Sequence, residues 1–450
     1  MNHELTRGSI RKSLLLFALP MFFSQLFQTL YNTADTVIIG NYLGDQSLAA
    51  VGSVAALFEL IVGFAVGFGQ GFGVIAAQKY GAQDEKGFKK VVALSILLSA
   101  VISLVMSVAV CFFMKDILHM LKTPADIFDQ AYSYIWVISA GLAVTVFYNL
   151  AAGLLRASGD SKTPLYALVL SSIINIILDI LFITKLNAGV ASTAWATLIA
   201  QGISLIACLL WVFAKKRDLL PALRDFRWNG ELAFALLRMG LSMALMTSIV
   251  CIGTVILQTA INPMGTLRIS GHTAARKLIG ILNLPVSSLM LALSSFVAQN
   301  MGAGEYERAE KGIAFSNRLG VYYSIALTVV IFFFAKTFVQ LISGSSDPFV
   351  LETGALYLKT NIPFFPALAV LLNLRTSLQS MLMNLVPVLS SVIELFGKLL
   401  FTWFIVPFTG YYGVCATEPV VWVLMAAFLA CSYLTRSVLK KQGIAVHLFR

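Results

Sequence analysis

Charge is what this sequence has least of. Only 12% of its 450 residues are Asp, Glu, Lys or Arg, about half the share in an average soluble protein. With 58% hydrophobic positions and a mean hydropathy of +0.85, the chain cannot have water as its main solvent. Cysteine is scarce too. Cys111, Cys208, Cys251, Cys415 and Cys431 show no paired spacing, which excludes a disulfide framework or a cysteine metal cluster. The sequence has no His-Glu-x-x-His, no Gly-x-Ser-x-Gly, no Gly-x-Gly-Asp and no P-loop, so neither an intramembrane enzyme nor an ATP-driven pump is expected. The chain reads as a non-enzyme with no cofactor.

What is present is apolar length. Runs long enough to cross a bilayer, about 20 residues each, recur about twelve times from Ser13–Gly40 to Val414–Arg436. The reading is an all-α polytopic membrane protein, with the lipid bilayer as its first partner. A net charge of +11 would send a soluble protein to nucleic acid, but here most Lys and Arg fall on the loops of one face, with Arg276, Lys277 and Lys398 read as the ones inside spans. That asymmetry places both termini in the cytoplasm, in the cell's inner membrane, and excludes a nucleic-acid partner. No obligate protein partner is expected either. The basic start "MNHELTRGSIRK" resembles a secretory signal but lacks a small-x-small cleavage site.

The chain divides near its middle, at the basic connection Lys215 to Met239, into residues 1–217, a cytoplasmic inter-lobe linker 218–235, and residues 236–450, with six spans on either side. Gln78, Gly81 and Ala82 recur as Gln299, Gly302 and Ala303 at an offset of 221, and Pro164 recurs as Pro387 at an offset of 223. Two parallel six-helix lobes related by pseudo-symmetry are a transporter architecture. After each Gly-Ala turn a charged stretch reads as a short surface helix.

Within the first span, Ser24, Gln28, Tyr31 and Asp35 lie on one helical face, a polar stripe ending on a carboxylate. An acid at mid-membrane costs about 2.5 to 3.5 kcal/mol on the lenient insertion scale, so it is expected to face a cavity or a partner. The fifth span adds Asn175 and Asp179, four apart, and the sixth adds Thr197. These are hard oxygen donors, suited to Na⁺ or to a shared proton, and two neighbouring carboxylates there must titrate as a coupled pair. Tyr134 is a lining candidate and Pro20 a bend or hinge. Gly63, Gly67 and Gly71, at intervals of four, read as close helix packing. Further intramembrane charges are Glu59, Arg276 and the pair Glu394 and Lys398. Four residues apart, that pair reads either as neutralising itself or as walling a substrate cavity.

The stretches "LYNTADTVIIGNYLG", "GLLRASGDSKTPL" (Gly153 to Leu165) and "NIILD" resemble the multidrug and toxic compound extrusion (MATE) family, bacterial multidrug exporters, along essentially the whole chain. The resemblance implies about twelve helices in two lobes and alternating access. It also implies export of small amphipathic, often cationic, compounds driven by Na⁺ or H⁺ entry. By it, Asp35, Asn175, Asp179 and Thr197 fall on the cation-coupling site, Tyr134 beside it, and Pro20 on the first-helix bend. Gln28, Tyr31, Glu59, Arg276, Glu394 and Lys398 complete the candidates for the substrate cavity or its gating. One departure stands out: Leu236 to Pro263 holds no acid, where some branches of the family carry one. A flippase for a lipid-linked oligosaccharide is the alternative, though such a protein usually carries more cations for pyrophosphate.

Overall fold

In lipid, a backbone N–H or C=O has no water to bond, so a spanning segment must satisfy its own hydrogen bonds as a helix. The computed structural model describes residues 5–186 and 188–449; the first four residues of the basic start lie outside it. Among the described residues every regular element is helical. Eleven helices are long and apolar enough to cross a membrane, and a bent pair, Phe128–Ala140 with Leu142–Ala157, brings the number to twelve.

That pair forms one broken span, the fourth. The break falls at Gly141, with a bend of 47°, and a side chain there would overlap Leu198 of the neighbouring helix. One correction concerns the two surface helices. Glu85–Met120 and Tyr306–Ser343 each run unbroken from the charged stretch into the apolar one, because no proline or tight turn separates the two and a nucleated helix extends cheaply. The repeated turn is nonetheless conserved in detail between the halves. Ala82 N–H donates to the Gln78 carbonyl, and Ala303 N–H to that of Gln299, both at 2.9 Å. Gly344, at φ 65°, ends Tyr306–Ser343 in the left-handed conformation that glycine adopts without strain.

The chain forms two compact units. Among the described residues, the first runs from Leu19 to Thr247; the second takes Ser248 onward together with residues 5–18. The helices Ile10–Leu43 and Gly230–Ile261 therefore each contribute to both. In the first unit the glycine-rich helix Ala55–Gly81 presents glycine on two faces. A Cβ on Gly67 would lie 2.6 Å from the Ala244 backbone, and one on Gly71 would lie 2.7 Å from that of Gly240. On the other face the approach is looser: a Cβ on Gly69 would lie 3.1 Å from the Asn149 backbone, and one on Gly73 3.3 Å from that of Gly153. Small residues let backbones approach where lipid supplies no hydrophobic drive. In the second unit the arm before the first helix is clamped by Arg308, whose guanidinium donates to the carbonyls of Leu5 (3.2 Å), Arg7 (3.0 Å) and Gly8 (2.6 Å).

Two outcomes follow from this packing. Gly71→Val forces backbone apart and is expected to cost about 1 to 3 kcal/mol, read as a lowered unfolding midpoint of the purified protein. Gly280→Ala, in open space, leaves that midpoint unchanged. Asp84 caps Glu85–Met120 by accepting from Gly87 N–H at 2.8 Å. That bond, then Lys79 and Lys90, hold its carboxyl below the usual carboxylate value. A depressed pKa gives a contribution present above the unfolded carboxylate's pKa and lost as pH falls through the folded one. Asp84→Ala therefore destabilises by about 1 kcal/mol at neutral pH, and the difference from wild type closes in acid titrations of stability.

Candidate functional site

The residues read as a cation site all belong to the first unit. Ile10–Leu43 carries Asp35, Lys162–Thr184 carries Asn175 and Asp179 one turn apart, Ala191–Lys215 carries Thr197, and Phe128–Ala140 carries Tyr134. The structure brings them together. Asp35 and Asp179 lie within electrostatic reach of each other, Tyr134 is within such reach of both, and so is Tyr31 of Asp35. Asn175 Nδ2 donates to Thr197 Oγ1 at 3.5 Å.

The hydrogen-bond inventory of this group is one-sided. Asp179 is fully buried and Asn175 is 2% exposed. Both Asp179 oxygens, Asp35 Oδ1 and Asn175 Oδ1 are buried with no donor among the described residues. Thr197 sends its own proton to the Thr193 carbonyl at 3.0 Å, which turns its oxygen lone pairs outward as acceptors. The cluster thus holds several acceptors and two formal negative charges with nothing to neutralise them. Leaving such groups bare in a low-dielectric interior is costly, and a hard monovalent cation or a proton on one carboxyl relieves it.

Other candidates are placed differently. Ser24 spends its hydroxyl on the Pro20 carbonyl at 2.9 Å, so the polar stripe of the first helix is weaker than its sequence implies. Gln28 is exposed and Tyr31 half-buried. Pro20 is buried inside an unbroken helix, directly after the point where the chain passes from the second unit to the first. Glu59 is exposed near the start of Ala55–Gly81, away from any described ion pair. Arg276, in the second unit, is half-buried and within electrostatic reach of His272 and Tyr357. Lys277 is exposed.

Glu394 and Lys398 pair at 3.0 Å, and a third charge joins them: Arg375 lies 3.6 Å from the other Glu394 oxygen. Arg375 is not among the charges that the sequence places inside spans. It is 6% exposed, inside Phe365–Ser380, with its guanidinium donating to Ser390 at 3.2 Å and to Ser391. A second buried network went unread: His272 Nδ1 meets the Tyr411 hydroxyl at 3.1 Å, and the Tyr357 hydroxyl donates to Glu418 at 2.9 Å. The available signal was Glu418 inside an apolar run, the same signal that marked Asp35.

Comparison with known proteins agrees with this architecture. The MatE family model matches residues 20–181 and 239–404. The chain is 28% identical over 82% of its length to 82% of the probable multidrug resistance protein YpnP of Bacillus subtilis. It is 25% identical over 79% of its length to 79% of the FAD transporter of Shewanella oneidensis. Among solved structures, a MATE protein in complex with MaL6 superimposes with a TM-score of 0.89 at 25% identity, covering 97% of this chain and 99% of that one. Matching helices, matching halves and a family match over most of the sequence make the chain a member of the MatE family of multi-pass membrane transporters.

Proposed function

We propose that this protein is a cation-coupled antiporter that exports small amphipathic, often cationic, compounds across the inner membrane by alternating access, with both termini in the cytoplasm. The observation that carries the reading is the group of buried acceptors on Asp35, Asp179 and Asn175 that have no donor. The multidrug names of relatives such as YpnP support the substrate class.

The coupling works through the pair's protonation or occupancy. With neither proton nor cation, Asp35 and Asp179 repel each other, and the helices Ile10–Leu43 and Lys162–Thr184 that carry them favour a conformation that separates or wets the carboxylates. With one cation or proton between them, the two helices are drawn together and Asn175 and Thr197 complete the shell. A bound ion drives a conformational change only through its differential affinity for the two states, and a site whose repulsion depends on helix spacing supplies that difference. Each entering monovalent cation yields roughly 2.3 kcal/mol per 100 mV of membrane potential, enough to hold a substrate gradient of tens-fold.

A second reading, a flippase for lipid-linked oligosaccharides, draws on the cations Arg375 and Lys398 in the second unit. Glu394 cancels one of them, and the single positive charge left is short of what a pyrophosphate requires.

Proteoliposomes loaded with a fluorescent lipophilic cation test the proposal under an imposed Na⁺ gradient and, separately, an imposed pH gradient. One gradient is expected to drive efflux, and Asp35→Asn to reduce it at least tenfold. Efflux indifferent to both gradients, or intact in Asp35→Asn, sinks the coupling site.

Thermal unfolding gives an independent check. The coupling ion binds only the folded site, so saturating Na⁺, or a lowered pH if protons couple, raises the wild-type midpoint. At a hundred times the dissociation constant the gain is about 2.7 kcal/mol. Asp179→Asn puts an amide donor beside Asp35, removes one negative charge and is expected to abolish that ion-dependent increment.

A further inference from the structure

The two halves share a register through Pro164 and Pro387, each near the start of its helix. Counting equal steps from these prolines, the positions of Ser171, Asn175 and Asp179 in the first half become Glu394, Lys398 and Thr402 in the second. The Asn175 amide of one unit thus becomes an ammonium in the other and the Asp179 carboxylate a threonine hydroxyl, and Arg375 adds a guanidinium to the cluster.

Three observations set this cluster apart from a structural ion pair. First, its charges do not balance. Glu394 is the only carboxylate within ion-pair distance of Arg375 or Lys398 among the described residues, so two cations face one anion, all three residues at most 6% exposed. A surplus charge in the interior is unstable without a counter-ion. Second, the backbone next to it is irregular. Directly after Leu385–Leu400 the helix widens into a π-helical stretch, Phe401–Ile405, a form rare in proteins and frequent at functional sites. This stretch holds Thr402, 7% exposed, whose hydroxyl has no partner among the described residues. Third, space is kept for the lysine: a Cβ at Gly253 would lie 2.8 Å from Lys398 Cδ.

We infer that Arg375, Lys398 and Thr402 form an anion-binding subsite of the second unit, taking the carboxylate or phosphate of an otherwise apolar organic substrate. The inference rests on the exporter reading and narrows it: the substrates include amphiphiles with an anionic head, alongside cationic ones. Glu394 holds the two cations in place and sets their net charge at one, which suits a monoanion. The ammonium and what remains of the guanidinium's donors, beyond those spent on Ser390 and Ser391, supply charge-assisted hydrogen bonds, and the Thr402 hydroxyl donates a further one.

A matched pair of probes tests this: the fluorescent carboxylate norfloxacin and its methyl ester, which lacks the negative charge. Both are followed in proteoliposomes of the full chain and, by fluorescence, as binding to the purified protein. Lys398→Met leaves Arg375 and Glu394 as a neutral pair. It is expected to lower carboxylate transport relative to ester transport by about tenfold, the worth of one charge-assisted hydrogen bond, with the ester unaffected. A ratio unchanged from wild type overturns the inference. If Lys398→Met loses both compounds, Glu394→Gln decides. It raises the net charge by one and is expected to tighten carboxylate binding several-fold without changing the ester; equal binding of both overturns the subsite. Wild-type protein that transports neither compound under any gradient counts against the exporter reading, while the binding comparison still judges the subsite.

Discussion

Hydrogen-bond acceptors without donors, held in a medium that offers none, are the constraint on which the rest of this protein depends. An apolar bilayer accepts helices because they satisfy themselves, and it tolerates a carboxylate only where protein surrounds it. Asp179 is sealed inside the first unit and Asp35 meets it from another helix. Around them the bent pair at Gly141 carries Tyr134, and the glycine faces of Ala55–Gly81 let backbones nearly touch.

The second unit repeats the scaffold and inverts the chemistry. Equivalent turns close with the same carbonyl bonds at Gln78 and Gln299, yet the register that gives acceptors in one half gives Lys398 in the other, with Arg375 across from it. A duplicated fold needs its backbone geometry twice but its charges only once, so polar positions are free to diverge while cap and glycine positions are held by sterics.

Much of this was legible in the sequence because lipid makes apolar length a reliable sign of a span and makes each acid conspicuous. Asp35, Asn175 and Asp179 were readable by their spacing alone. Arg375 was not, because it sits near a helix end, where a long side chain is as apt to reach water as to turn inward. Its partner Glu394 lies 19 residues later, beyond a loop whose geometry hydropathy does not encode. The break at Gly141 was hidden inside an apolar run without proline. The surface helices were misread because amphipathic character marks an interface but not whether the helix stops there. Nor does a one-dimensional pattern reveal that the first helix changes units at Leu19.

The Arg308 clamp has a consequence for the order of assembly. The anchor of the carbonyls it holds, at Leu5, Arg7 and Gly8, is made about 300 positions after them. Domains generally condense in the order they are synthesised, but here the earliest segment must wait through the whole first unit before it is seated. Residues 5–8 act as a latch that closes late, and insertion machinery must keep them accessible until the ninth span is made.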